Sequence, residues 1–290
     1  MINKNDKAAF VVPHLACDSH FHIFGSRDKY PPVGEQRNPL PDDNRVEYKQ
    51  FAELMGLTRG VMVQPSNYST DNSCTLDALN EFGKDNYRAV VEVPDDVTDA
   101  EMERLHNLGA RGTRINYRPI QPLTHGLPEQ VAERIRIMEP KCKRLGWSID
   151  FLFADWLTCA MIPYLDKMRV PFTIAHIGMN KACHSTTAGG FRKLVEFLKN
   201  GEGYCWIKLT APYRCSLEKD YADVVPLAQE VIDAAPNRVL WGSDIPHLGF
   251  PWPDSVQLFN MLKQYAPDEK NRNRILVDNP ADLYGFNNNR

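Results

Sequence analysis

The sequence predicts an α/β protein, a (β/α)8 TIM barrel of 290 residues, and three observations carry that expectation. Eight short runs rich in Val, Ile, Phe and Trp recur along the chain. Most gaps between them carry apolar residues at helical spacing, and such alternation builds a parallel sheet with helices outside. Chemically active side chains gather at the ends of the runs, where barrels of this kind place their sites.

The runs fall at 16–24, 60–64, 88–93, 112–116, 148–153, 172–176, 205–209 and 239–243. Their bulky apolar side chains suit strands buried on both faces. Helices are expected over 46–55, 99–108, 128–145, 188–199, 217–235 and 255–265. Prolines in YPPVGEQRNPLPDD (30–43) exclude regular helix or central strand, so residues 25–45 read as a long loop over the top face. Residues 1–15 read as an N-terminal extension, and 1–290 as a single barrel domain. The rival is an open doubly wound sheet. It predicts a glycine-rich phosphate loop, and neither GxGxxG nor GxxxxGKS/T occurs.

Composition narrows the function. A formal net charge of −3 gives no general attraction to nucleic acid or an anionic membrane. No stretch approaches the roughly 20 apolar residues that span a bilayer, and the polar start lacks a signal-peptide segment. The seven cysteines include no CxxC pair, and their odd number argues against a disulfide framework. A cytoplasmic enzyme is the default, with a homo-oligomer compatible.

The first run reads Cys17-Asp18-Ser19-His20-Phe21-His22. Period-two geometry puts His20 and His22 on one face, with Asp18 in phase and Cys17 out of phase, a packing residue. Two imidazoles in one barrel mouth can bind a metal or donate hydrogen bonds to a carbonyl oxygen. His176 ends the sixth run. Asp244 ends the eighth, just before Ile245-Pro246-His247, and can accept a proton from water. His247 either touches substrate or shapes its loop. Arg114 and Asn116 share one face of the fourth run, and Arg118 follows it. Lys208 and Thr210 point one way in the seventh, which leads to Arg214. An inward cation needs an anionic partner, and arginines clamp carboxylates through paired donors. Arg118 alternatively belongs to a solvated surface. Ser66 and Tyr30 offer hydroxyls at the same rim, or serve structural turns. Neither Gly-x-Ser-x-Gly nor His-Glu-x-x-His occurs.

DSHFHIFG at 18–25, VQPSNYSTDN at 63–72, GARGTRINYR at 109–118, AHIG at 175–178, KLTAPYR at 208–214 and WGSDIPH at 241–247 cover most of the chain. Together they resemble the amidohydrolase superfamily, in its branch of 2-pyrone-4,6-dicarboxylate lactonases and sugar-acid lactone enzymes. The resemblance implies a distorted barrel acting on small anionic rings. His20, His22 and His176 would surround the reacting carbonyl, and Asp244 would activate water. Arg114, Arg118 and Arg214, with Ser66 and Tyr30, would hold substrate carboxylates, and His247 would lie near them. Two-metal relatives add a lysine or glutamate on the fourth strand and a histidine on the fifth. This chain has Arg114 and Asn116 on the fourth, and no histidine in 148–153.

The expected function is therefore hydrolysis of a small carboxylated lactone by water attack at the ring carbonyl. No metal or cofactor is expected. The alternative is one Zn2+ on His20, His22, His176 and Asp244, whose nitrogen and oxygen donors suit it. The same residues would also suit a lactone isomerase acting on a sugar-acid lactone, a metal-dependent decarboxylase or a non-catalytic carboxylate-binding module.

Overall fold

The structure, a computed structural model, describes residues 6–34, 36, 38–117, 122–184, 186–187 and 189–287. Eight parallel strands lie side by side in chain order: β1 (Cys17–Phe21), β2 (Arg59–Val63), β3 (Tyr87–Val91), β4 (Ala110–Asn116), β5 (Ser148–Leu152), β6 (Phe172–Ile174), β7 (Cys205–Leu209) and β8 (Val239–Trp241). Beyond the regular strands, Asp244 N donates to His20 O and His22 N to Ile245 O, both at 2.8 Å. These bonds bring the end of β8 against the end of β1 and round the sheet into a barrel.

Helices α1 (Arg45–Leu54), α2 (Ser73–Phe82), α3 (Asp99–Leu108), α4 (Leu127–Leu145), α5 (Asp155–Leu165), α6 (Gly189–Asn200) and α7 (Val225–Ala234) separate the strands. After β8 come α8 (Ser255–Asn260), α9 (Leu262–Tyr265), α10 (Glu269–Asn273) and α11 (Asn279–Tyr284). The helix expected over 217–235 is shorter. Leu217 is 78% exposed, so its end has no apolar face to bury. Tyr221 has φ 59° and Pro226 stands in the first turn of α7, a favoured place for proline. Helices α2, α5, α10 and α11 have no counterpart among the expected helices; in α5, DWLTCAMIPYL, the apolar residues run almost continuously and show no helical period.

Alternation along the strands sorts the core into two layers. Met62, Ile207, Val239 and Trp241 face outward and join the helices in the main cluster. Val61, Val63, Val90, Trp206 and Leu240 form a second cluster inside the barrel, with Cys17 and with Ala281, Leu283, Tyr284 and Phe286 from the chain's end. The Arg59 and Arg88 guanidinium groups lie over the Phe286 ring, 5.2 and 4.6 Å from its centroid. Arg88 also donates to Tyr284 O and Gly285 O. The C-terminal segment thus stoppers the N-terminal end of the barrel and leaves the other end for a site.

Strand β1 departs from strict alternation. Its register against β2 shifts between Asp18 and Phe21, and such an irregularity changes which side chains share a face. Asp18, expected in phase with His20 and His22, instead serves the seam. Its Oδ1 accepts from the backbone N–H groups of His20 (3.1 Å) and Ser243 (3.0 Å). Cys17, expected out of phase with the histidines, points into the interior cluster and is packing there.

The seam is tight at Gly242. A Cβ there would sit 2.6 Å from both His20 N and His20 Cβ. Gly242→Ala should therefore push β1 and β8 apart and destabilise the protein by about 1–3 kcal/mol, the usual cost of overpacking. A denaturant midpoint equal to wild type would contradict this.

Candidate active site

Two strand ends meet first. The bonds across the seam bring His20, His22 and Asp244 together, and Nε2 of each histidine faces Asp244 Oδ1, at 3.4 and 3.3 Å. His22 Nδ1 lies 2.8 Å from Val63 O. A carbonyl only accepts, so His22 Nδ1 carries a proton. The other carboxylate oxygen, Oδ2, accepts from the Tyr213 hydroxyl at 2.6 Å and lies 3.6 Å from Arg214 Nε. Asp244 has φ 58°, a left-handed conformation that a non-glycine residue adopts rarely.

His176 follows β6, with its ring centroid 5.4 Å from that of His20. It too has positive φ (54°), as do Ile177 (52°) and Met179 (59°). Thr210, beyond β7, holds this residue twice: its Oγ1 accepts from His176 N at 3.1 Å and lies 2.6 Å from Nδ1. Ala211 (φ 47°) then turns the chain so that Tyr213 and Arg214 reach back toward Asp244.

Beneath the histidines lies a buried polar layer. Lys208 pairs with Asp150 Oδ2, and its Nζ is 3.2 Å from His20 Nδ1. Asp150 also accepts from the Thr173 hydroxyl at 2.7 Å, and its Oδ1 is 3.7 Å from Arg114 Nε. The anionic partner that an inward Lys208 and Arg114 require is Asp150.

The strand ends open into a cavity of about 170 Å³. Of the residues singled out in the sequence, His22, Ser66, Arg114, Asn116, His176, Arg214 and Asp244 line it. His20 is fully buried behind them. Two others, Tyr30 and His247, stand elsewhere. Tyr30 is not at the cavity: its hydroxyl donates to Asp77 of α2 at 2.7 Å, and its ring fills the space beside Gly25. His247 is a supporting residue, with Nε2 2.9 Å from Ser255 Oγ and Nδ1 3.3 Å from the Tyr213 hydroxyl. Arg118 lies outside the described residues. Sequence reasoning missed Tyr213, although KLTAPYR contains it. It also missed Phe24, Asn38, Leu152 and Leu248 of the lining, apolar or loop residues that carry no chemical signal.

Electrostatics sets the protonation states. Burial pushes the Asp244 carboxyl up, but neighbouring groups outweigh it and hold it well below the usual carboxylate range. Burial keeps His20 and His176 neutral, the latter lowered to about 3. The Arg214 guanidinium and the Tyr213 hydroxyl both face the carboxylate and favour its ionised form.

The donor set also fits one divalent cation in type and spacing. His20, His176 and Asp244 offer ligand atoms all within 4.8 Å of one another, and His20 Nε2 has no hydrogen-bond partner among the described residues. Imidazole nitrogens and a carboxylate suit Zn2+. His22, with Nδ1 on a backbone carbonyl, is oriented as metal-binding histidines usually are. The Lys208 ammonium beside His20 and the Arg214 guanidinium beside Asp244 are discordant with a cation there.

The buried histidines imply an acid-sensitive fold. Burial lowers His247 to about 4 and His176 to about 3, against about 6.5 in the unfolded chain. The unfolded state then binds more protons in this window, so their contribution is fully present above pH 6.5 and lost as pH falls toward 4. The urea midpoint should drop steadily over that range, and His247→Asn should flatten the slope. A midpoint independent of pH would contradict this.

Comparison with known proteins agrees with this architecture. The family described as amidohydrolase matches residues 17–286. A 4-sulfomuconolactone hydrolase of Hydrogenophaga intermedia is 34% identical over 281 residues, covering 95% of this chain and 90% of that protein. A 2-pyrone-4,6-dicarboxylate hydrolase of Comamonas testosteroni is 27% identical, covering 96% and 92%. A solved Agrobacterium tumefaciens structure superimposes with a TM-score of 0.79 at 26% identity, covering 95% and 97%. The matched span takes in all eight strands and the residues around the cavity, and the chain belongs to the amidohydrolase family.

Proposed function

We propose that the chain is a lactonase that hydrolyses a small ring bearing one or more anionic groups, of the 2-pyrone-4,6-dicarboxylate kind. The observation that carries this reading is Asp244, a buried carboxylate facing two imidazole nitrogens in a cavity that also holds Arg114 and Arg214. Arginines in a cavity select anions, and a base beside hydrogen-bond donors suits attack on a carbonyl. The relatives named as hydrolases favour the same chemistry.

In this reading, Arg214, Arg114 and Ser66 bind the substrate's anionic groups and orient the ring. An anion that engages Arg214 draws that positive charge away from Asp244 and makes the carboxylate a better base. Asp244 takes a proton from water as the water oxygen bonds to the ring carbonyl carbon. His20 and His176 stabilise the oxyanion. The ring C–O bond then breaks, the ring oxygen recovers the proton, and the product is the ring-opened acid. Tyr213 and His247 hold Asp244 in place. The reading takes the enzyme as cytoplasmic and homo-oligomer formation as compatible.

A second reading is favoured by the spacing of His20, His176 and Asp244. These residues and His22 would hold one Zn2+, which when bound would supply Lewis-acid polarisation of the carbonyl. Our preference is for catalysis by the side chains alone, because Arg214 and Lys208 already place positive charge beside the same donors. Metal analysis of the purified protein, followed by assay after chelation, decides between them. Turnover that survives complete metal removal is expected. Stoichiometric zinc whose removal abolishes turnover and whose return restores it would overturn the preference.

Incubation with a panel of carboxylated and neutral lactones, followed by detection of ring opening, tests the function itself. Conversion to an isomeric lactone without ring opening would favour an isomerase. Asp244→Asn should keep the fold and lower kcat on the order of 10^2-fold or more. Arg214→Met should chiefly raise KM for the carboxylated substrate, with a smaller effect on an analogue lacking that carboxylate. Near-normal turnover by the first variant, or equal losses on both substrates by the second, would reject those roles.

A further inference from the structure

We propose that Lys208 is a positioning residue: from inside the barrel it sets the tautomer of His20, so that His20 presents an Nε2–H to the reacting carbonyl. The purpose of that N–H rests on the lactonase reading. The tautomer itself rests on hydrogen-bond geometry alone.

Lys208 and His20 are completely buried. Lys208 pairs with Asp150, which also accepts from the Thr173 hydroxyl and lies near Arg114. A lysine held against an ionised carboxylate is an ammonium, with three N–H donors and no lone pair. Asp150 takes one donor. His20 Nδ1, 3.2 Å away, is placed to take a second. Nδ1 must then be the nitrogen with the lone pair, and a neutral ring carries its proton on Nε2. That nitrogen has no hydrogen-bond partner among the described residues and stands 3.4 Å from Asp244 Oδ1. His20 is buried behind the cavity lining, so an oxygen reaches this N–H by entering beside Asp244.

His22 is held in the opposite sense. Val63 O fixes a proton on Nδ1, and Nε2 stands 3.3 Å from the same Asp244 oxygen. For a cation the consequence is direct. A zinc ion on His20 Nε2 would have to displace the proton that Lys208 keeps there.

A purely structural Lys208 would only neutralise Asp150. The paired substitution Lys208→Met with Asp150→Asn separates the two roles, because it removes the Lys208–Asp150 ion pair as a unit and leaves neither member of that pair uncompensated. Nitrogen-15 NMR of histidine-labelled, chelator-treated protein reads the tautomer, with His20 assigned from its loss in His20→Gln. Wild type should show His20 as the Nε2–H tautomer, and the paired variant should lose that preference. The paired variant should also lose about 10^2-fold in kcat, the cost of one oxyanion donor. Arg114 loses its Asp150 partner in the same variant, and that change should appear in KM. An Nδ1–H tautomer in wild type, an unchanged tautomer in the paired variant, or a paired variant with wild-type kcat would each overturn the proposal. If wild type opens no lactone, the lactonase reading fails, while the spectra still decide the role of Lys208.

Discussion

The ion pair between Lys208 and Asp150 is the constraint around which the upper half of the barrel is organised. Two unit charges buried inside a sheet are costly unless each is paired and its remaining hydrogen-bonding capacity is used. Asp150 meets this by accepting from Lys208 and Thr173 and facing Arg114, and Lys208 meets it by turning a donor to His20. These residues come from β1, β4, β5, β6 and β7. One salt bridge therefore links the strands that carry Arg114 and His20, and it lies directly beneath the cavity.

Above this layer the backbone itself is shaped for the site. His176, Ile177 and Met179 after β6, Ala211 after β7, and Asp244 and His247 after β8 all have positive φ. Each such non-glycine residue costs on the order of 1 kcal/mol or more and persists only where its surroundings impose it. The surroundings here are identifiable. Thr210 holds His176, the seam bonds hold the start of the Asp244 turn, and Tyr213 with His247 braces its carboxylate. A closed barrel can absorb this strain because its lower half is a dry apolar cluster stoppered by the chain's own C-terminal end. Rigid scaffold and strained rim together place charged groups that would repel or wander on a looser frame.

The same division explains the electrostatics. His20 and His176 are neutral because burial disfavours their charge, while the Arg214 guanidinium and the Tyr213 hydroxyl at the Asp244 carboxylate favour its ionised form. A site with neutral donors, one strong anion and flanking guanidinium groups is prepared for an anionic substrate with an electrophilic carbon. The arginine charges are partly engaged in the resting protein, Arg114 with Asp150 and Arg214 with Asp244. In the proposed reading an incoming anion competes for those contacts, which would couple binding to the basicity of Asp244.

The barrel was legible in the sequence because eight apolar runs and their intervening segments are local patterns, set by burial and backbone periodicity. So was most of the cavity lining that carries chemistry: His22, His176, Arg114, Arg214 and Asp244 stand at strand ends, and strand ends converge at one mouth. What periodicity could not provide was any feature that depends on register or on distant partners. The irregularity in β1 turned Asp18 to the seam and Cys17 to the interior, against simple alternation. Tyr30 was lost to Asp77, a partner 47 residues away, and His247 to Tyr213 and Ser255. The need of Lys208 for an anion was readable from its inward place in a strand, but the choice of Asp150, and with it the proton position on His20, was decided only when the barrel closed and brought β5, β7 and β1 to one level. Local pattern determines which residues face inward; only closure of the sheet determines which of them touch.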